Sequence, residues 1–212
     1  MPFPTLLIAT TNSGKFREFS QLLGDLPLRL VSLAGVPGAP TVAEEGETYA
    51  ANATHKALSL ARWSGCATLA DDSGLEVDAL RCAPGVHSAR YAGVEQDSCA
   101  NLHKLLQALD SIPPSERTAR FRCVIVVACP NGATLLAEGS CEGRILEAPR
   151  GRSGFGYDPV FFYPSLDSAF AEMPAAVKNR VSHRAQACTW LRPNLLSFLS
   201  AHAAACANCK LD

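Results

Sequence analysis

Neither sign of charge dominates this chain: 19 lysines and arginines stand against 20 aspartates and glutamates over 212 residues, a formal net charge of −1. A surface built to grip long nucleic acid needs a basic excess that displaces counterions from phosphate, so long nucleic acid is not an expected partner. Also missing is any apolar run near the ~20 residues of a membrane-spanning helix, so no membrane association is expected. The opening Met1-Pro2-Phe3-Pro4 carries no basic residue, and polar Thr10-Thr11-Asn12 ends its short apolar stretch. It therefore lacks the parts of a secretory leader, and the default expectation is a cytoplasmic protein. No internal repeat and no low-complexity segment stands out. Nine cysteines, scattered and odd in number, fit reduced thiols better than a disulfide framework. Cys206 and Cys209 form a Cys-x-x-Cys pair, but no second pair with metal-site spacing accompanies it, and a frayed tail is the simpler reading. Histidines 55, 87, 103 and 202 have no metal-ligand spacing among themselves.

What is present is a chain long enough to bury a sizeable core, expected as one domain over residues 1–212 with roughly 203–212 as a disordered tail. Strand-like runs recur at 5–10, 28–33, 67–70, 74–79, 120–129 and 134–138, with helical patterns between several of them, which is the signature of an α/β protein with a mixed sheet. The first helix is expected over Gly14 to Leu23, with Phe16, Phe19, Leu22 and Leu23 as its buried stripe and Gly24-Asp25 as its stop. A second, Thr48 to Trp63, places Tyr49, Ala53, Ala57 and Leu60 on one face and Asn52 and Lys56 on another, with Gly65 as its stop. A third runs from Asp97 to Leu109 and ends before Pro113-Pro114. The run Arg120 to Cys129 starts alternating and becomes continuously apolar, as a central strand covered on both faces does. A final helix, capped by Ser182, should kink or restart at Pro193.

Four segments carry chemistry. Thr10-Thr11-Asn12-Ser13-Gly14-Lys15 follows a strand and opens a helix, combining hydroxyls, an amide, backbone N–H groups and an ammonium, as a phosphate-binding turn does. It is not a Walker A loop, since the upstream glycine is missing and Phe16 follows the lysine. Lys15 and Arg184 each sit in a first helical turn, where a cation opposes the helix dipole unless an anion is bound; the competing reading is two solvated surface residues. Glu44-Glu45 and Asp71-Asp72-Ser73-Gly74 supply carboxylates, the second pair at an expected strand end, where α/β sheets bind ligands. One or two carboxylates plus substrate phosphates are what Mg²⁺ prefers, while a capping turn by Asp72 or Ser73 is the plain alternative. Finally Gly151 to Asp158 sets Phe155 and Tyr157 among glycines, which suits either base stacking or two core rings at a turn. A phosphate loop and an aromatic loop together point to a nucleoside triphosphate ligand.

Taken in order, Thr10 to Lys15, Ala70-Asp71-Asp72-Ser73-Gly74-Leu75, Pro84-Gly85-Val86-His87-Ser88-Ala89-Arg90-Tyr91, Phe155-Gly156-Tyr157-Asp158-Pro159, Ala171-Glu172-Met173 and Lys178-Asn179-Arg180-Val181-Ser182-His183-Arg184 resemble the inosine triphosphate pyrophosphatase, or Ham1, family over roughly residues 5–200. The resemblance implies an elongated mixed sheet flanked by helices, two lobes with the active-site cleft between them, and a homodimer. It implies Mg²⁺-dependent hydrolysis of ITP, dITP and XTP to monophosphate and pyrophosphate, which removes deaminated purines from the nucleotide pool. Carried over by position, Thr10, Thr11, Asn12, Ser13, Gly14 and Lys15 hold the triphosphate, Asp72 is catalytic base and metal ligand, and Glu44, or its neighbour Glu45, is the second metal carboxylate. Ser73 touches substrate; Phe155, Gly156, Tyr157 and Asp158 cradle the base; and Lys178, His183 and Arg184 complete the pocket. Asn52 and Lys56, on an exposed helical face, reach toward the phosphates. Ala185 stands where a glycine is common after His-Arg. Two other readings stay open: a Maf-like pyrophosphatase of pyrimidine or modified nucleotides, and a non-catalytic nucleotide-binding module.

Overall fold

In the computed structural model of the chain, residues 3–93 and 97–211 are described; Met1 and Pro2, part of the opening read above, and Asp212, the last residue of the expected tail, lie outside them. In chain order the elements are β1 (Thr5–Ile8), α1 (Ser13–Leu23), β2 (Arg29–Ser32), α2 (Tyr49–Ser64), β3 (Ala67–Val77), α3 (Ser98–Ala108), β4 (Thr118–Ala128), β5 (Thr134–Ile145), β6 (Phe161–Tyr163), β7 (Ser168–Ala169), α4 (Ala175–Val181) and α5 (His183–Ala201), with short 3-10 turns among them. The strands form one mixed sheet in the order β2-β1-β3-β4-β5-β6-β7. β1 runs parallel to β2 and β3, and β6 antiparallel to β5 and β7. The expected α/β class with a mixed sheet and flanking helices is the one the chain adopts.

Two compact units divide the chain: Met1–Asp72, Cys123–Gly139 and Ala187–Asp212 make the first, Ser73–Arg122 and Ser140–Gln186 the second. The first unit's core gathers Leu6 and Ile8 of β1, Phe19 and Leu23 of α1, Leu69, Ile125, Val127 and the α5 leucines 191, 195 and 199. β1 is buried at all four positions, which is why Leu6-Leu7-Ile8 reads as an unbroken apolar run after Thr5. α1 buries Phe19 and Leu23, with Phe16 and Leu22 packed beside them as the helical spacing predicts. α2 begins at its cap Thr48, whose side chain accepts from Ala51 N, and stops at Gly65 in the left-handed region. The second unit's core joins Leu75, Val77, Leu105, Leu109, Phe121, Tyr157, Phe161, Phe170 and Met173.

Several expectations are corrected. Residues 67–70 and 74–79 are not two strands: β3 runs unbroken from Ala67 to Val77, so Asp71-Asp72-Ser73-Gly74 lies within a strand and not in a capping turn. Two acids look like a strand end because an unpartnered carboxylate cannot be buried, and here both have partners. β5 extends to Ile145 instead of stopping at 138, with Ala137, Cys141 and Ile145 buried along one face. Gly143 falls on that face and hides the apolar alternation; a Cβ there would meet the Phe161 ring at 2.6 Å. α5 does not restart at Pro193, which lies inside the helix, and Leu191, Leu195 and Leu199 anchor it in the core on both sides of the proline.

The tail is not frayed over its described part. A 3-10 turn forms at Ala203–Cys206, Ala205 and Cys206 pack against the first core, and Lys210 N donates to Ser64 O at 2.9 Å. Cys209 is disulfide-bonded to Cys66, which corrects the expectation of reduced thiols throughout. The physical reason lies at Gly65: a Cβ there would collide with the carbonyl of Asn208, so only glycine gives the tail its seat.

Replacing Gly143 with alanine is expected to lower stability by about 1–3 kcal/mol through overpacking against Phe161. Urea unfolding measures it; an unchanged midpoint would show that the ring moves aside freely.

Candidate functional site

The first unit assembles a cluster of polar side chains around β3. Asp71 and Asp72 are both buried, and burying an ionised carboxylate costs several kcal/mol unless charge or hydrogen bonds offset it. Lys15 Nζ lies 2.9 Å from Asp71 Oδ2, and Asn52 Nδ2 donates to Asp72 Oδ2 at 2.8 Å. Lys15 is therefore not a solvated surface residue: the anion that justifies a cation in the first turn of α1 is an internal carboxylate. Asn52, expected on an exposed face, is buried, and its Oδ1 accepts Gly46 N at 2.7 Å. One α2 side chain thus ties the acid to the loop carrying Glu44 and Glu45. Lys56, a turn later, pairs with Glu44 at 2.5 Å, so the Asn52–Lys56 face looks onto carboxylates and not into solvent. Glu45 is exposed, whereas Glu44 is near enough to act electrostatically on Asp72.

The Thr10 to Lys15 turn is organised by Asn12, whose Oδ1 accepts from Gly14 N at 2.9 Å and Lys15 N at 3.0 Å. The side-chain carbonyl expected to face a ligand is the helix cap, and two of the expected free N–H groups are occupied by it. Asn12 N in turn donates to Thr10 Oγ1 at 3.1 Å, which holds the buried threonine in place. Thr11 and Ser13 remain exposed.

Burial pushes the Asp72 carboxyl up to about 6, aided by the charges of Glu44 and Asp71 and opposed by the Asn52 hydrogen bond and by Lys15. A group with that value is ionised at pH 7.5 yet basic enough to accept a proton.

The second unit brings together the aromatic loop and the basic segment. Asp158 is buried, with Oδ2 accepting Phe155 N at 2.9 Å and Lys178 Nζ at 2.5 Å. Gly154, at φ +78°, is required there because a Cβ would strike that carboxylate. Asp158 thus shapes its own loop and neutralises Lys178. The Lys178 ammonium lies 4.9 Å from the Phe155 ring centroid and 5.5 Å from that of Phe170, and the Arg184 guanidinium lies 5.8 Å from Phe155. Arg184, almost fully buried and far from a solvated residue, donates from Nη2 to Ser73 Oγ at 3.0 Å. His183 stacks on Phe121 at 4.7 Å, and Ser182 caps α5 by accepting Ala185 N.

The two loop aromatics part ways. Phe155 is half-buried among cations, while Tyr157 is a core residue whose OH donates to Ser88 O at 2.8 Å; its burial raises the phenol's pKa. Ser88 also accepts Leu75 N at 2.9 Å and donates to Gly85 O at 2.6 Å. The Pro84 to Tyr91 segment, quoted above without a role, therefore fastens the aromatic loop to β3. Phe121 went unnoticed as a site neighbour because it reads as an inward position of an alternating strand, and Phe170 because it sits between two alanines and reads as plain core.

A stability prediction follows from Asp72. Its folded value lies above the ordinary 3.8, so its favourable contribution is complete below that value and is lost as pH rises through about 6. At pH 8, without added metal, the ionised form costs about 3 kcal/mol of stability. Asp72→Asn should be more stable than the parent by up to that amount at pH 8 and equal to it near pH 3.5. Urea melts in chelator check this, and equal midpoints at both pH values would remove the strain argument.

The Ham1 family model matches residues 6–194. The chain is 52% identical over 182 residues, 86% of its length and 90% of the relative's, to a protein of Desulforamulus reducens named dITP/XTP pyrophosphatase. It is 50% identical over 186 residues, 88% of its length and 91% of the relative's, to a protein of Geobacillus kaustophilus with the same name. Among solved structures, a HAM1 protein from Coxiella burnetii matches with a TM-score of 0.82 at 40% identity, covering 92% of this chain and 99% of that one. Since the matches span nearly the whole length of both partners and enclose β3, the aromatic loop and the start of α5, the chain belongs to the Ham1 family.

Proposed function

We propose that the chain is a nucleoside triphosphate pyrophosphatase that hydrolyses deaminated purine nucleotides, ITP, dITP and XTP, to the monophosphate and pyrophosphate. The observation that carries this reading is Asp72: a buried carboxylate held by Asn52 and raised to about 6, flanked by the Lys15–Asp71 and Lys56–Glu44 pairs. The names of the relatives, dITP/XTP pyrophosphatase, support the substrate class.

In this reading Asp72 accepts a proton from the water that attacks the α-phosphorus; the new O–P bond forms, the α–β bridging bond breaks, and pyrophosphate departs. Lys15 and Lys56 can turn from their carboxylate partners toward phosphate oxygens, where cations stabilise developing charge. Mg²⁺ fits the donor set. Glu44, Asp71 and Asp72 set three carboxylates against the two ammonium groups of Lys15 and Lys56, leaving one negative charge in excess, and Asp72 and Glu44 would hold the ion. It would supply charge neutralisation on the triphosphate. Among the described residues no cluster of three or more His, Cys, Asp or Glu is arranged for a metal, so an ion here would need substrate oxygens to complete its ligands.

The Phe155 ring offers a face for a purine, and Arg184 and His183 carry N–H donors suited to a 6-oxo group; facing an amino group instead, those donors would lose their partner and reject adenine. A homodimer in the cytoplasm belongs to the same reading. Among the described residues no helix is long and apolar enough to cross a membrane.

Pyrophosphate release from ITP, XTP, dUTP, GTP and ATP, with and without Mg²⁺, tests this function. Metal-dependent release from ITP and XTP, far above GTP and ATP, is expected; preference for dUTP would move the chain to the Maf-like class, and binding without release to the non-catalytic one. Asp72→Asn is expected to lose about 10²–10⁴-fold in kcat while retaining triphosphate binding. Near-parent turnover would remove Asp72 from the role of base.

A further inference from the structure

Four cysteines converge in the first unit from three places in the chain: Cys66 directly ahead of β3, Cys129 directly after β4, and Cys206 and Cys209 in the tail. Cys66 and Cys209 are disulfide-bonded across 143 residues of sequence. The thiols of Cys206 and Cys129 act on each other, which lowers the pKa of Cys206 and raises that of Cys129. Cys209 N donates to Cys206 O at 3.2 Å, closing the turn Cys206-Ala207-Asn208-Cys209 and drawing its two ends together. Cys66 is fully buried, whereas Cys206 and Cys209 are partly exposed. A buried disulfide sulfur, a reachable one, and a neighbouring thiol in a Cys-x-x-Cys turn are the components of exchange chemistry. Cys206 and Cys209 lie outside the 6–194 span of the family match, and none of the four cysteines is among the residues placed in the nucleotide site above.

We propose that Cys66, Cys206 and Cys209 form a thiol–disulfide exchange site that fastens the tail to the end of α2 and the start of β3, and releases it to a small thiol reductant. To open it, the Cys206 thiolate attacks Cys209 Sγ. The Cys206–Cys209 bond forms, the Cys66–Cys209 bond breaks, and Cys66 leaves as a thiolate that takes up the proton Cys206 gave up. Two molecules of a small thiol then reduce the Cys206–Cys209 disulfide, becoming a disulfide themselves as two electrons pass to the protein. A low-molecular-weight disulfide acting as oxidant runs both steps backward. Cys129 acts on the Cys206 thiol electrostatically and forms no bond itself.

The full chain, equilibrated in set ratios of reduced to oxidised glutathione, alkylated, digested and mapped by mass spectrometry, tests the site. Expected are a cross-linked Cys66–Cys209 peptide under oxidising ratios, a Cys206–Cys209 linkage at intermediate ratios, and a fall in Tm of about 5–15 °C on full reduction. Cys209→Ser should have a Tm independent of the ratio. Cys206→Ser should keep the Cys66–Cys209 bond but open it about tenfold more slowly or worse. If Cys209→Ser fails to fold, the parent protein's peptide map and Tm series decide alone. The proposal is overturned by absence of the Cys66–Cys209 peptide at every ratio, by a Tm that ignores the ratio, by Cys206→Ser opening at the parent rate, or by reduced protein retaining one zinc on these sulfurs.

Discussion

Two carboxylates buried side by side in a continuous strand set the terms for the rest of the first unit. A strand interior has no water to solvate Asp71 and Asp72, so the fold must bring other groups to them, and it does so from two helices. α1 begins where Asn12 can cap it and Lys15 can reach Asp71; α2 is placed so that Asn52 meets Asp72 while Lys56 meets Glu44. Each helix contributes a polar residue to the acids from one side and an apolar stripe to the core from another. Compensation is incomplete at Asp72, whose carboxyl stays raised and is a better proton acceptor than an ordinary carboxylate.

The second unit solves a different problem, that of holding cations against aromatic rings. A lysine and an arginine this deeply buried need anions, π-faces or hydrogen-bond acceptors, and they find Asp158, Phe155, Phe170 and the Ser73 hydroxyl. Asp158 is the pivot: one carboxylate oxygen accepts both Lys178 and the backbone of Phe155, so the ring and the ammonium are set by the same atom. Loss of that oxygen would release both the ring and the ammonium.

Much of this was legible in the sequence, and the failures have physical causes. Helical spacing located α1, α2 and α3 to within a residue or two at each end, because their apolar stripes and caps at Thr48 and Asp97 are local signals. Residues 71–74 read as a strand end because propensity knows nothing of Lys15 and Asn52, which are distant in sequence and help make those acids tolerable within a strand. Asn52 was put on an exposed face for the same reason, since a polar residue on a helix looks outward until its buried partner is known. β5 was cut short at Gly139, a residue that in isolation signals a break, and Gly143 farther along is a fitting for the Phe161 ring. Tyr157 and Phe155 differ by two positions in one loop, and only Ser88, 69 residues from Tyr157, decides which of them is core.

The tail carries this argument to its limit. Ala203-Ala204-Ala205 offers almost no apolar side-chain area with which to hold itself against the body, and conformational entropy favours release of such a segment. What fixes it is a small set of specific contacts: a missing Cβ at Gly65 that admits Asn208, the bonds of Lys210 to Ser64 O and Trp63 O, and two sulfur contacts. Where weak packing is fastened by one covalent bond, the bond's chemistry governs the state of the segment, and a change of two electrons replaces what a larger apolar surface does elsewhere. Cys66 begins the segment that leads directly into β3, so the tail is anchored to the strand that carries Asp71 and Asp72.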